Sequence, residues 1–378
     1  MIKVIEVISD TNIGGAGILL INRLKHTNKE LFDTTVILPK GSKLKKKLEE
    51  LGINTISVNV CVDSSWEWRG VSVYKRIFLA LKPDIVNSHG CLSARVAAKM
   101  AGVGVKLYTR HCVYPVKKIY KSRIIRGIVK ITTSFLNDGV VAVAYSAKEN
   151  LLMLGVPEKM IHVIINGAEP LKLISETEKS ELRKRYGILS QDIVITICAR
   201  LEPCKNHECF LRAARILCNN NHKYKFFIVG TGSLENGLKE LSKTLQLDKK
   251  VFFVGFLNDV SPIMNITDLN VNCSVGTETS SLALSEGMSL GIPSVVSNYG
   301  GNPYMVRDTV NGYIYKTGDF ADLAKKIESV FDPNNSEIYR RMCIESKNRY
   351  EKELNAKAMT ENMQELYITM LHRSRAKR

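Results

Sequence analysis

Residues 269–297 read LNVNCSVGTETSSLALSEGMSLGIPSVVS. The stretch opens on a short apolar run, 269–273, and closes on another, 294–297. Short strand-like runs such as these, bounded by turn residues and separated by a helical pattern, are what the strands of a parallel sheet look like. Between them, 281–290 has helical spacing. Ser280 or Ser281 can cap its start, and Gly291 followed by Pro293 marks its end. Strand, helix, strand is one βαβ unit, and it predicts a parallel α/β sheet.

The same alternation runs outward in both directions. In the first half, strands are expected at 4–8, 35–38, 54–58, 84–88, 105–109, 140–144 and 162–165, with helices such as 42–51 and 71–81 between them. In the second half they are expected at 193–198, 225–229, 251–254, 269–273, 294–297 and 312–315, with helices at 207–219, 234–245 and 281–290. The pattern restarts once, after Asn166-Gly167 and the polar stretch 175–180. This predicts two doubly wound domains, 1–168 and 169–350. Residues 351–378 are expected to form a last helix and a basic tail.

Composition removes other classes. The chain has 378 residues, 45% hydrophobic and 24% charged, an ordinary globular balance for two domains. It is neither disordered, collagen-like nor a coiled coil. No apolar run approaches the ~18–20 residues of a membrane-spanning helix. Glu6 interrupts the apolar N-terminal stretch, and no small-residue cleavage site follows, so a signal peptide is not expected. The nine cysteines, Cys61, Cys91, Cys112, Cys198, Cys204, Cys209, Cys218, Cys273 and Cys343, include no C-x-x-C pair. They read as reduced cysteines, several of them buried, of a cytoplasmic protein with no structural metal. The net charge of +17 is uneven: residues 1–168 carry 25 basic and 12 acidic residues, residues 169–378 carry 29 and 25. A basic first half points to an anionic partner, whether a membrane surface, a phosphorylated substrate or nucleic acid, or to a lysine-rich solubility bias.

Several strand ends carry residues suited to chemistry. The first strand runs into Ser9-Asp10-Thr11-Asn12-Ile13-Gly14-Gly15-Ala16-Gly17, a glycine-rich turn that can bring backbone amides to a ligand or be a tight turn with none. It is not a dinucleotide fingerprint, because Leu20 replaces the third glycine and the second strand ends in Pro39-Lys40-Gly41 instead of an acidic residue. Asn87-Ser88-His89-Gly90 and Thr109-Arg110-His111 close two further strands at the edge where ligands bind. Residues 110–131 contain seven Lys or Arg and no acidic residue, among them Arg110, Lys117, Lys118 and Lys121. With Ile124, Ile125, Ile128 and Val129 at helical spacing, they form either a membrane-surface helix or a core-facing helix with a solvated basic face. Arg200 and Lys205 follow the strand at 193–198 as a cationic pair suited to a diphosphate. Gly230-Thr231-Gly232 is a second close-approach turn. Glu278 and Glu286 would lie about 80° and 12 Å apart on one continuous helix. They can share a ligand only with Glu278 in the loop and Glu286 in the helix, beside a helix N-terminus that attracts an anion. That set fits a diphosphate between two polyols, a sugar nucleotide.

These landmarks, in this order, resemble the family 4 retaining glycosyltransferases of the GT-B fold. The resemblance covers about residues 2–315 and rests on Gly14-Gly15, His111, Ser146, Asn166-Gly167, Arg200…Lys205-Asn206, Gly230-Thr231-Gly232 and Glu278-x7-Glu286 with Gly291-Ile292-Pro293. Ser280-Ser281 stands where members often carry Phe-Gly. The resemblance implies two Rossmann-like domains facing a central cleft, acceptor-side first and donor-side second, with the last helix crossing back to the first domain. It implies that Arg200 and Lys205 hold the donor diphosphate, helped by the helix start at Ser280, Ser281 and Leu282. Glu286 would accept from ribose hydroxyls and Glu278 from hydroxyls of the transferred sugar. His111 would lie near the reacting carbon, Gly15 near donor and acceptor, and Gly230 and Gly232 at the donor. No metal or cofactor is implied, and the nucleotide sugar, taken as UDP-linked, is a substrate. The expected activity is transfer of a hexose or amino-hexose, with retention, to a glycan or lipid-linked acceptor in surface polysaccharide or glycoconjugate synthesis. The protein would be cytoplasmic, and peripheral on the inner face of the membrane if the basic stretch is exposed. A nucleotide-sugar epimerase of the same fold and a non-catalytic anionic-surface binder are the other readings. A nucleic-acid partner is not expected, since no aromatic stacking platform or reader helix is recognisable.

Overall fold

The computed structural model describes residues 1–113, 116–220, 223–332 and 336–376. Tyr114 and Pro115 of the basic stretch, and Lys377 and Arg378 of the basic tail, lie outside the described residues. The chain divides into two compact units, Met1–Gly167 with Ala356–Arg378, and Ala168–Asn355.

The first unit is built on seven parallel strands: β1 (Ile2–Ile8), β2 (Phe32–Pro39), β3 (Asn54–Val58), β4 (Ile85–His89), β5 (Val105–Arg110), β6 (Gly139–Ala142) and β7 (Ile161–Val163). Their order is β3-β2-β1-β4-β5-β6-β7. Both faces of the sheet are covered, so β1, β4 and β6 are buried along most of their length, Glu6 of β1 included, while β5 alternates between buried and half-buried residues. The C-terminal helix Ala356–Arg375 covers part of one face, setting Met363, Leu366, Tyr367, Met370 and Leu371 among Val4, Phe32, Ile85, Val105, Leu107 and Val141. This helix starts at Ala356 and not at 351, because Tyr350–Leu354 forms a wider π-type turn. Asn355 holds that turn, its Nδ2 donating to the carbonyls of Tyr350 and Glu351 at 3.2 and 2.8 Å.

The second unit has six parallel strands: β8 (Ile193–Cys198), β9 (Tyr224–Val229), β10 (Val251–Gly255), β11 (Leu269–Asn272), β12 (Ser294–Ser297) and β13 (Gly312–Tyr315). Their order is β10-β9-β8-β11-β12-β13. In each sheet the order reverses once, between β1 and β4 in the first and between β8 and β11 in the second. Loops leaving the C-terminal ends of such neighbours diverge to opposite sides and open a crevice, the ligand position of open parallel sheets. The turn after β1 leads to Gly15, and the loops after β8 and β11 carry Arg200, Lys205, Glu278, Ser280 and Ser281, while His111 follows β5 and Gly230 and Gly232 follow β9.

Candidate functional site

At the reversal of the second sheet, the loop after β8 meets the loop after β11. Lys205 Nζ donates to Glu278 Oε2 at 2.6 Å and to Ser274 Oγ at 3.4 Å. The same Oε2 accepts from Ser274 Oγ at 2.8 Å and from Asn272 Nδ2 at 3.2 Å. Glu278 is 4% exposed. Burial pushes its carboxyl pKa up, but Lys205 and these hydrogen bonds outweigh burial and hold it below the usual range. Every bond converges on Oε2, so Oε1 is the oxygen left to accept from a ligand. Arg200 is exposed and forms no ion pair among the described residues, so its planar fork is open to a diphosphate.

The helix Leu282–Ser289 begins here. Ser281 is its cap, its Oγ accepting from the Leu284 amide at 3.4 Å, whereas Ser280 Oγ faces Met305 Sδ at 3.8 Å. Glu278 lies in the loop before this helix and Glu286 within it. The Glu286 carboxyl is raised by burial and then by Asp259, and it accepts no hydrogen bond among the described residues. A half-buried carboxylate without donors is relieved by ligand hydroxyls. Gly230 and Gly232 have a reason within the protein. A Cβ on Gly230, at φ +136°, would stand 2.1 Å from the Ala199 carbonyl oxygen, and one on Gly232 would stand 2.4 Å from that of Leu201. Their close approach is to the backbone on either side of Arg200, which it fixes. His207 is fully buried, and burial followed by Lys205 lowers its pKa to about 4, so it is neutral at pH 7.

The reversal of the first sheet holds a buried charge cluster. Glu6, in the middle of β1, has no exposure. Its Oε1 receives Arg23 at 2.6 Å and the Tyr367 hydroxyl at 2.6 Å. Its Oε2 receives Asn87 Nδ2 at 2.9 Å and contacts His89 Nε2 at 2.9 Å. Burial raises the Glu6 pKa, Arg23 and His89 lower it further than burial raises it, and it falls to about 2. From His89 the chain continues: Nδ1 lies 2.7 Å from His111 Nε2, with the rings stacked at 5.0 Å. His111 is kept neutral, first by burial, then by His89 and Arg23. Its Nδ1 is buried and has no hydrogen-bond partner among the described residues. The relay Glu6–His89–His111 thus fixes one His111 nitrogen and leaves the other unmet.

The glycine turn after β1 lies beside this relay. A Cβ at Gly15 would meet nothing within 4 Å, whereas one at Gly17 would strike Leu44 at 2.8 Å. Gly17 is a packing glycine; Gly15 borders open space. Arg110 closes β5, with its guanidinium 3.1 Å from the Tyr108 hydroxyl. Lys117, Lys118 and Lys121 are exposed.

The family profile for glycosyl transferases group 1 matches residues 178–349, and that for glycosyltransferase family 4 matches residues 13–170. The chain belongs to the family 4 glycosyltransferases. This glycosyltransferase is 28% identical over 310 residues to the UDP-Gal:alpha-D-GlcNAc-diphosphoundecaprenol alpha-1,3-galactosyltransferase of Escherichia coli, covering 80% of this chain and 79% of that one. Its fold is that of a glycosyltransferase from Rickettsia africae ESF-5, with a TM-score of 0.84 at 20% identity over 98% of both chains. It is also that of Anabaena HepE in complex with UDP, with a TM-score of 0.83 at 19% identity over 98% and 100% of the two chains. These likenesses establish the GT-B fold; HepE has also been solved with UDP-glucose.

The residues that hold these sites were only partly visible beforehand. Glu6 carries a usable signal, since a carboxylate inside an apolar buried strand must be paired. Arg23 and Tyr367 carry none, being far from it in sequence. Asn272 and Ser274 brace Glu278, yet nothing distinguishes them from ordinary polar residues at a strand end.

Proposed function

We propose that this glycosyltransferase moves a hexose or amino-hexose, with retention, from a UDP-sugar to a lipid-linked or polysaccharide acceptor, without cofactor or metal. The observation that carries this reading is the Lys205–Glu278 pair at 2.6 Å at the reversal of the second sheet, with Arg200 open beside it. Arg200 and Lys205 take the donor diphosphate, and the first amides of Leu282–Ser289 add the positive end of the helix dipole. Glu278 Oε1 accepts from a hydroxyl of the transferred sugar and Glu286 from the ribose. Within the first unit, His111 Nδ1 is the acceptor offered to a sugar hydroxyl, and Gly15 borders open space. In the transfer, the acceptor oxygen bonds to the anomeric carbon as the bond from that carbon to the diphosphate oxygen breaks. The acceptor proton passes to the departing phosphate, and Arg200 and Lys205 stabilise the charge developing there. The E. coli relative named above uses a UDP-sugar and a diphosphoundecaprenol acceptor, and HepE binds UDP; both support this choice of donor and acceptor classes.

Association with an anionic membrane surface belongs to the same reading. The helix Arg123–Leu136 has no buried residue. Ile124, Ile128, Ile131 and Phe135 are 76%, 50%, 70% and 61% exposed and fall within about 60° of one another around the helix. Lys117, Lys118, Lys121, Arg123, Arg126 and Lys130 accompany this stripe, the pattern of a helix lying in a lipid interface. Among the described residues no helix is long and apolar enough to cross a membrane.

The test is UDP release from UDP-glucose, UDP-galactose and UDP-N-acetylglucosamine with and without a lipid-linked sugar diphosphate. Release that depends on the acceptor supports transfer, and an epimerised sugar without acceptor would identify an epimerase. Lys205→Ala and Glu286→Ala should each lower transfer about 10²-fold or more, the scale of lost transition-state charge stabilisation. Wild-type turnover in either removes the assignment.

A further inference from the structure

The protein has two tryptophans, and they stand together where the loop after β3 passes into the helix Trp68–Leu81. Trp66 and Trp68 have ring centroids 4.8 Å apart and planes at 70°, so the two rings make a corner. Trp68 is 77% exposed and Trp66 37%. The largest apolar side chains of the chain therefore face water, where their burial energy is unrealised.

The loop that carries them is fixed. The Asp63 amide donates to the Ser9 carbonyl at 2.9 Å, and its carboxylate accepts from the Thr11 amide and hydroxyl, both at 2.8 Å. Ser65 Oγ donates to the Gly90 carbonyl at 2.6 Å, and the Ser65 carbonyl accepts from the Leu92 amide at 2.8 Å. The Glu67 amide donates to Ser93 Oγ at 2.8 Å, and the Glu67 carboxylate accepts from the Cys61 amide at 2.7 Å. Within this frame Cys61 and Asp63 hold left-handed backbone, φ 53° and 48°, a conformation that non-glycine residues keep only where surroundings impose it. The loop is tied to the turn after β1 on one side and the turn after β4 on the other. Those two turns flank the reversal of the first sheet, where His89 and His111 lie.

We propose that Trp66 and Trp68 form an acceptor subsite, a pre-set platform for one face of a pyranose ring. The inference rests on the glycosyltransferase reading and adds the place where the accepting sugar docks. A pyranose presents C–H groups on a flat face, which suit the electron-rich face of an indole. A fixed aromatic corner orders few torsions on binding. Charge favours a neutral sugar over an anionic lipid surface. The loop 59–67 that leads to the pair carries Asp63 and Glu67 and no Lys or Arg, with Arg69 following Trp68, in a chain of net charge +17. The basic residues suited to lipid lie elsewhere, between Lys117 and Lys130.

Because the chain has no other tryptophan, selective indole excitation reports on this loop alone. The full-length protein is titrated with methyl glycosides of glucose, galactose and N-acetylglucosamine, with sorbitol as an acyclic control, and with phosphatidylglycerol vesicles. A saturable emission change with at least one glycoside and none with sorbitol is expected. Trp68→Ala, at an exposed position, should keep the wild-type circular dichroism and weaken that glycoside about tenfold. With the glycoside as acceptor, Trp68→Ala should raise its KM by a similar factor and move kcat less than about twofold. A change with vesicles alone would make the pair a membrane anchor and overturn the proposal, as would no change with any probe or an unaltered acceptor KM. UDP binding by the wild type, followed by thermal shift, separates the two failures: without it the donor reading falls, while the glycoside titration still judges the platform.

Discussion

A carboxylate with no exposure keeps its charge only where its neighbours give back more than burial removes. Glu6 meets that condition through Arg23, His89, Asn87 and Tyr367, and its pKa falls to about 2. The sign follows: a lowered carboxyl pKa stabilises the fold above the unfolded value near 4.5, and that contribution disappears as pH falls from there toward 2. Glu6→Gln leaves Arg23 buried without its counter-charge and should lower stability by about 3–5 kcal/mol at neutral pH. Urea denaturation at pH 7 and pH 3 checks this, because the gap between wild type and variant should shrink in acid. The residue scale also separates what the sequence disclosed from what it withheld. Arg200, Lys205 and Glu278 were legible because their charges follow strand ends, where a parallel sheet presents ligands, and Glu286 because its spacing from Glu278 puts it on the helix that follows. The Glu6 cluster was not, because its partners come from residues up to 361 positions away. Glu286 has the opposite shift, raised by burial. Donor affinity should therefore fall as pH drops through that raised value, while Glu286→Gln, measured by UDP titration calorimetry, should be weak but flat over the same range.

Among the elements, Arg123–Leu136 shows how far periodicity reaches. Helical spacing of its apolar residues was visible, but spacing alone does not say which side meets the core. Ile125 and Val129 turn inward and are half-buried, whereas Ile124 and Ile128, one step round the helix, stand exposed. The exposed stripe is what a lipid interface takes up. Replacing Lys117, Lys118 and Lys121 with Glu should cut binding to phosphatidylglycerol vesicles by 10²-fold or more, since each basic residue near an anionic surface contributes about 1 kcal/mol. Vesicle sedimentation at low and high salt measures it, and undiminished binding would exclude the helix from that role.

For the whole molecule, the alternation of strand and helix was enough to read two parallel sheets, because buried parallel strands must be apolar on both faces. Where the last helix joins was set by an irregular turn, Tyr350–Leu354, and by long-range packing, neither of which has a local pattern. That packing matters to the first unit. Ending the chain at Asn355 would strip Met363, Leu366, Tyr367, Met370 and Leu371 from the sheet face and remove the Tyr367 hydroxyl from Glu6. The truncated protein should lose the thermal transition of the first unit in calorimetry and keep that of Ala168–Asn355. An intact pair of transitions would show that the helix is dispensable.

The two ends of the second unit lie side by side: Ala168 bridges Asn355, and the Tyr350 hydroxyl donates to the Ala168 carbonyl at 3.0 Å. The second unit is therefore an insertion within the first, and this has a consequence in time. On the ribosome, the strand bearing Glu6 emerges first, but the tyrosine that completes its cluster is 361 residues later, about 20–70 s at ordinary rates of synthesis. The second unit can close while the chain is still growing. The first must wait, with a half-covered sheet and an incompletely neutralised carboxylate, until Tyr367 has been made. The lobe begun first is the last to be finished.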